Sequence, residues 1–384
     1  MTAHVFVVTA QTFDLHLKYA FAGTGSKDHQ IDFNSSTKSE LHSSTEKSLV
    51  QLLADGLRLR KGDSIFFYVQ QDEYSEGKFY GVFECVEDGC FLDNDDEEQF
   101  LRNALGKNLN IRALIAPKQI FPRGVSEWKL LDDISLISTP KEMFWSLIYR
   151  KLKGNRGNTM ITLHEERELV KRLEEENIGE TIISNLSNLE FNPVLGRIAT
   201  TPTKFLYKGT KTKPNILPRL KAKFQSNQAF EAHLQAYLVS SILSGKNETL
   251  ESSLYENHFL KWIGNEVSCG VGMQRIDILT HTTLNKEDVI SPIELKATTA
   301  HPKNLKQLKR YIDWLNLYYL PLMPGKIRPV LMTKEFESED DENRRELETE
   351  VLRFNNLNRD CLALHWITYT IQKGQLAFKH QSLA

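Results

Sequence analysis

The stretch QRIDILTHTTLNKEDVISPIELK, Gln274 to Lys296, decides the fold of the C-terminal half of the chain. It predicts two short apolar strands, Arg275–Thr280 and Val289–Ala297, joined by a polar connection. Asp277 lies in the first strand between Ile276 and Ile278. Glu294 and Lys296 lie two apart in the second, so a period of 2 puts both on one face while Ile293 and Leu295 point to the other. An acid among branched apolar residues is costly unless something pairs with it. Two such acids on neighbouring strands, with a lysine beside the second, point to a divalent metal held by Asp277 and Glu294. Hard cations such as Mg²⁺ or Mn²⁺ take oxygen ligands and keep several waters, one of which is suited to attack a phosphodiester. Lys296 would orient or help deprotonate that water and offset charge at the phosphorus. The plainer alternative is a β-hairpin with a salt bridge between Glu294 and Lys296.

The flanks extend the pattern. Upstream, FEAHLQAYLVSSIL (Phe230–Leu243) predicts an amphipathic helix with Glu231 in its first turn. Downstream, LKQLKRYIDWL (Leu305–Leu315) predicts a helix with Gln307 and Tyr311 four apart on one face. This order resembles the PD-(D/E)XK nuclease core, an α/β fold: a helix with Glu, a strand with Asp, a strand with ExK, a helix with QxxxY. It is most similar to the C-terminal nuclease domain of the NucS/EndoMS family. The likeness is carried by Arg275–Leu279, Ile293–Lys296 and QLKRY at Gln307–Tyr311, and spans Gln228–Pro329. The resemblance implies Glu231, Asp277, Glu294, Lys296, Gln307 and Tyr311 as catalytic residues, with Asp277, Glu294 and Leu295 as metal ligands. One departure is that ELK is followed by Ala297-Thr298-Thr299-Ala300-His301 rather than a basic-glycine turn.

At 384 residues the chain is long enough for two domains, each with its own core. A net charge of −2 gives no overall basic footprint, so any nucleic-acid contact has to come from local patches. The four cysteines, Cys85, Cys90, Cys269 and Cys361, form no CxxC and suit reduced thiols of a cytoplasmic protein. The N-terminus lacks the pattern of a signal peptide, and no apolar run approaches the ~18 residues of a membrane span.

In the N-terminal half, VFVVT (Val5–Thr9) predicts a buried strand, Glu46–Leu57 a helix, and SIFFYVQ (Ser64–Gln70) with FYGVFECV (Phe79–Val86) a half-buried hairpin. Ile111–Ala116 and Trp128–Leu130 predict further short strands. The segments His4–Ser26 and Lys61–Glu87 resemble the PUA-like β-barrels of the EVE and YTH type, over about the first 140 residues. That resemblance implies an aromatic cage for one modified, flipped-out base. Phe13, Phe21, Tyr68 and Trp128 fall on or beside the matched elements, although aromatics at strand spacing are also what an ordinary core contains. Met143–Tyr149 predicts an apolar helix running into a basic glycine turn, 150–157, that either contacts phosphates or places cations at a helix end.

Between Glu190 and Glu231 there is no acid, while eight Lys and Arg residues and Pro202, Pro214 and Pro218 fall there. This predicts an extended basic linker, in which Lys211, Lys213, Lys221 and Lys223 follow a DNA backbone or simply belong to a spacer. The expected organisation is an α+β multi-domain chain. Residues 1–180 form a PUA-like (EVE/YTH-type) reader with flanking helices, 181–226 a basic linker, and 227–384 a PD-(D/E)XK endonuclease. The expected activity is modification-dependent cleavage of double-stranded DNA, in restriction and antiviral defence, by a homodimer with no membrane association. The alternatives are a mismatch- or branch-directed repair endonuclease of NucS/EndoMS type, or a non-catalytic binder of modified nucleic acid.

Overall fold

The computed structural model describes residues 2–25, 31–73, 75–94, 96–132, 142–147, 157–183, 188–228, 230–254, 259–269, 274–338 and 341–382. The chain divides into two compact units, Met1–Phe33 with Ser39–Asn215, and Asn34–Lys38 with Ile216–Ala384. Both mix helices with sheet, so the fold is α+β and multi-unit.

In the first unit, strands β1 (Ala3–Val8), β2 (Phe21–Thr24), β3 (Ser64–Val69), β4 (Lys78–Cys85), β5 (Phe91–Leu92), β6 (Ile111–Pro117), β7 (Val125–Ser126) and β8 (Asn158–Ile161) form one sheet. Its order is β2–β6–β4–β3–β1–β8, with β5 on β6 and β7 on β4. The sheet curls as a half-barrel and, among the described strands, ends at β2 and β8. β1 and β3 run parallel, which requires the crossover that helices α1 (Ala10–Lys18) and α2 (Ser43–Leu57) supply. Thr9 starts α1 with a capping box to Thr12, so the turn out of β1 is fixed locally. A short helix, α3 (Arg102–Leu105), precedes β6, and α4 (Leu163–Glu176) follows β8 with a Thr162–Glu165 capping box. The predicted strand at Trp128–Leu130 is a π-helical turn, Trp128–Asp132; the pairing residues are Val125 and Ser126 just before it. The basic turn predicted at 150–157 lies, apart from Gly157, outside the described residues.

The interval expected as an extended linker holds regular structure toward both ends, while residues 202–216 between them are irregular apart from one bridge at Thr212. Strands β9 (Asn188–Asn192) and β10 (Arg197–Thr201) form a hairpin whose Leu189, Phe191 and Ile198 enter the core with Phe13, Phe67 and Tyr80. Helix α5 (Leu217–Gln225) begins with Pro218 in its first turn, where a missing N–H costs nothing.

In the second unit, α6 (Glu231–Ser244) and α7 (Glu248–Leu254) precede a meander of β11 (Phe259–Ser268), β12 (Arg275–Leu284) and β13 (Glu287–Leu295). The β12–β13 loop is only Asn285 and Lys286, with φ of 50° and 70° between the paired Leu284 and Glu287. Two left-handed residues give the turn whose twist suits a hairpin, and so both strands meet sooner than expected. Helix α8 (Lys303–Trp314) then leads to β14 (Lys326–Ile327) and β15 (Val330–Lys334), both parallel to β13. β14 pairs with Val289 and Ile290, and β15 with Ile293 to Leu295, so Pro292 falls in the gap between them. Helix α9 (Glu342–Leu357) connects to β16 (His365–Gln372), parallel to β15, and β17 (Gln375–His380) closes the edge antiparallel. Ile278, Ile293 and Leu295 pack with Leu234 and Leu238 of α6 in one apolar cluster. The alternation of β12 and β13 therefore turns Asp277 and Glu294 to the other side.

Candidate active site

The paired residues Ile278 and Ile293 end the β12–β13 ladder, and one further step places Asp277 opposite Glu294. There the backbone pairing gives way to a side chain: the Leu295 N–H donates to Asp277 Oδ2 at 2.8 Å. Glu294 is fully buried. The Tyr311 hydroxyl lies 2.8 Å from Glu294 Oε2 and 2.6 Å from the Arg275 carbonyl, and it accepts from Gln307 Nε2 at 2.6 Å. With one proton for two acceptors, Tyr311 donates to one at a time. The four-residue spacing on α8 is what lets Gln307 hold the hydroxyl of Tyr311.

Lys296 meets Glu294 Oε1 as a close ion pair. Its Nζ also donates to the Leu295 carbonyl at 2.8 Å and lies 3.8 Å from Glu231 Oε2. Its own carbonyl accepts from the Tyr369 hydroxyl at 2.8 Å. Glu231 opens α6 with its side chain 43 % exposed, a place where the helix dipole also favours an acid. The hairpin with its Glu294–Lys296 salt bridge is present, and Asp277 lies beside it.

Charge is unevenly matched here, three carboxylates against one ammonium. Burial, and then the charges of Glu294 and Glu231, raise the Asp277 carboxyl well above its ordinary range; the Leu295 N–H and Lys296 act against them. Burial likewise raises Glu294, with Lys296 and Tyr311 opposing and Glu231 adding. For Lys296, burial pulls downward, but Glu294 and Glu231 outweigh it and the ammonium holds its proton more tightly than a free lysine. Tyr311 is pushed upward by burial and by both acids, so it stays a phenol. Among the described residues no group of three or more His, Cys, Asp or Glu stands at metal-holding distances. The Leu295 carbonyl expected as a ligand accepts one hydrogen bond, from Lys296 Nζ, and a carbonyl oxygen has a second lone pair beside the one so used.

Several neighbours carry no signal in the motif itself. Gln235, Glu266 and Arg275 bond around Asp277, and Cys269 is a buried thiol pushed up to about 12 chiefly by burial. Gln235 was within reach of the sequence, since it lies one helical turn beyond Glu231, and Arg275 opens the predicted strand.

The four candidate cage aromatics do not converge. Phe13 packs in the core against Phe67, Tyr80 and Phe191, with ring centroids 5.2, 5.2 and 4.9 Å away. Phe21 belongs to another cluster with Leu105 and Leu109, under the Arg112 guanidinium at 4.8 Å. Tyr68 lies in a third, its hydroxyl bonded to the buried Glu127. Trp128, next to Glu127, is 55 % exposed and the only one of the four with an open ring face. Of the candidate backbone contacts, Lys211 and Lys213 are exposed in the first unit, while Lys221 and Lys223 lie half-buried on α5 of the second. Lys211 Nζ sits 5.7 Å from the Phe91 ring and 5.8 Å from that of Tyr207.

No helix among the described residues is long and apolar enough to cross a membrane. No protein-family model matches the chain, and no curated protein matches it in sequence. Among solved structures, a hypothetical protein from Leishmania major is 12 % identical, with 46 % of this chain and 96 % of that one aligned at a TM-score of 0.28. Human THYN1, solved in complex with DNA containing 5-methylcytosine, is 11 % identical over 45 % of this chain and 98 % of that one, with a TM-score of 0.24. The MspJI restriction endonuclease, in complex with a 27-mer oligonucleotide, is 11 % identical over 93 % of this chain and 76 % of that one, with a TM-score of 0.20.

Proposed function

We propose that the chain is a metal-dependent endonuclease for DNA carrying a modified base, a modified cytosine in the first instance, acting in defence against foreign DNA. The second unit would be its PD-(D/E)XK core and the first its PUA-like (EVE/YTH-type) reader. The observation that carries the cutting activity is the meeting of Asp277, Glu294, Lys296 and Tyr311 at the end of one β-ladder. The donor set suits a hard divalent cation: its ligands are oxygens and its negative charge is in excess of the one lysine. Asp277 and Glu294 would hold Mg²⁺ or Mn²⁺, which supplies Lewis acidity toward a phosphoryl oxygen.

The remaining work falls to the protein's own groups. Lys296, held as an ammonium, offsets negative charge at the phosphoryl group and donates hydrogen bonds. Glu294 and Glu231 are what raise the proton affinity of Lys296, and a bound cation would offset both charges, so orienting or helping to deprotonate the attacking water stays part of its proposed role. Tyr311, kept protonated and oriented by Gln307, holds Glu294 in place. Glu231 keeps the ammonium near both. The reading of a modified cytosine rests on the likeness of His4–Ser26 and Lys61–Glu87 to EVE and YTH domains. Flipping a base out of the stack costs a few kcal/mol, and contacts in its pocket must offset that.

One experiment tests both parts. The full chain is incubated with Mg²⁺ or Mn²⁺ and otherwise identical duplexes containing cytosine, methylcytosine or hydroxymethylcytosine. Metal-dependent cutting that favours a modified duplex is expected. Cutting that ignores modification but selects mismatched or branched duplexes would replace the reader assignment with a repair role. No cutting with either metal would remove the nuclease assignment.

A further inference from the structure

Gln235 lies four residues after Glu231 on α6, hence on the same side of that helix. It is only 3 % exposed. Its Nε2 donates to the Asp277 carbonyl at 2.8 Å and lies 3.4 Å from Glu266 Oε1. The other oxygen of Glu266 is 2.5 Å from Arg275 Nη1, and the Arg275 carbonyl is one of the two acceptors facing the Tyr311 hydroxyl. One carboxylate therefore touches both the amide that holds residue 277 and the guanidinium of residue 275. The pairs Asn265–Ile278 and Val267–Ile276 place Glu266 opposite Asp277, and it sits there at φ 52°, in the left-handed region inside a strand. Non-glycine residues rarely adopt that conformation, and where they do the surroundings must enforce it.

We infer that Gln235 and Glu266 are positioning residues of the acidic site. They fix the main chain of Asp277, and through it the carboxylate that would hold the cation. The inference rests on the metal reading above. Supporting groups of this kind set ligand orientation, and removing one commonly lowers metal affinity ten- to a hundredfold.

The test is Mn²⁺ titration of the full chain by calorimetry, without DNA, together with thermal melts in EDTA. Gln235→Leu keeps the size but removes both polar atoms, and its Mn²⁺ affinity should fall about tenfold or more. Glu266→Ala should lose a similar amount, and Glu266→Gln, which can still bond Gln235, should recover part of it. A merely structural pair would lower the melting midpoint and leave Mn²⁺ affinity of the folded variants unchanged, which would overturn the inference. Should Gln235→Leu fail to fold, the contrast between Glu266→Ala and Glu266→Gln decides by the same measure. If the unmodified chain binds no Mn²⁺, the metal reading falls and this inference with it. If it binds Mn²⁺ and both Gln235→Leu and Glu266→Ala bind equally well, only the inference falls.

Discussion

Replacing Asp277 with asparagine is expected to stabilise the cation-free protein while abolishing its cutting. Buried beside Glu294 and Glu231, the Asp277 carboxyl holds its proton well above the ordinary pKa of 3.8. The folded chain thus binds that proton more tightly than the unfolded chain does. Stability is then lost as pH rises from 3.8 through the folded-state pKa, and it is constant above. Each unit of elevation costs about 1.4 kcal/mol at high pH. Asparagine keeps the shape, and its Oδ1 still accepts from the Leu295 N–H, but the bond is no longer charge-assisted, a loss of about 1 kcal/mol. Relieving a functional site of unfavourable charge commonly gains about 0.5–2 kcal/mol. Denaturant unfolding in EDTA should find Asp277→Asn the more stable at pH 8, once the weakened bond is set against that gain, with the gap closing toward pH 4. Adding Mn²⁺ to about 100 times its Kd should then stabilise the unmodified chain by about 2.7 kcal/mol and leave the variant unmoved. A variant less stable at pH 8, with a gap insensitive to pH, would refute the claim that Asp277 is held against repulsion.

Tyr311→Phe removes the hydroxyl shared by Gln307, Arg275 and Glu294, and should lower unfolding free energy by about 1.5–3 kcal/mol in chemical denaturation; a change under about 0.5 kcal/mol would mean that the hydroxyl bonds contribute nothing net. Phe13→Ala should destabilise by about 3–5 kcal/mol, as deletion of a packed core ring does. Trp128→Ala should leave stability within about 0.5 kcal/mol, yet remove about 1–3 kcal/mol of binding to a modified duplex in fluorescence anisotropy; equal binding before and after would clear Trp128 of base stacking. Changing Lys211 and Lys213, and separately Lys221 and Lys223, to glutamine should each flatten the salt dependence of duplex binding by up to about 0.9 log unit for every phosphate no longer neutralised. An unchanged slope for either pair would assign it no phosphate.

What could be read in advance followed from cost. An acid in an apolar alternation demands a partner, so Asp277 and Glu294 announced themselves, and the four-residue step from Gln307 to Tyr311 fixed a shared helix face. The aromatics carried no such information. Both faces of a curled sheet crossed by helices are buried, so Phe13 and Phe21 are under the same hydrophobic demand as Phe67, and ring identity does not separate a pocket from a core. In the basic interval, Pro202, Pro214 and Pro218 suggested an extended spacer. Yet Leu189, Phe191 and Ile198 carry the period-2 signal of a hairpin, and Pro218 starts a helix. Periodicity is the stronger physical cue there, because it reports which side chains can be buried together, whereas composition does not.

Two residues near the acidic site that escaped the motif, Gln235 and Tyr369, act on it through backbone carbonyls. Gln235 bonds the carbonyl of Asp277 and Tyr369 that of Lys296, just as Tyr311, which the motif did include, faces that of Arg275. A carbonyl is present at every position, so nothing in the identity of residues 275, 277 or 296 predicts who will hold it. Glu266 differs in acting through its side chain, on Gln235 and Arg275, from a left-handed backbone position within β11. The carboxylates and the lysine mark where chemistry can occur, because their charge is costly to bury. How tightly that chemistry is aimed depends on neutral and distant groups, which only the folded arrangement brings together. For that reason a chain that keeps Asp277, Glu294 and Lys296 but loses Gln235 and Glu266 would still carry the motif, and should bind its cation poorly.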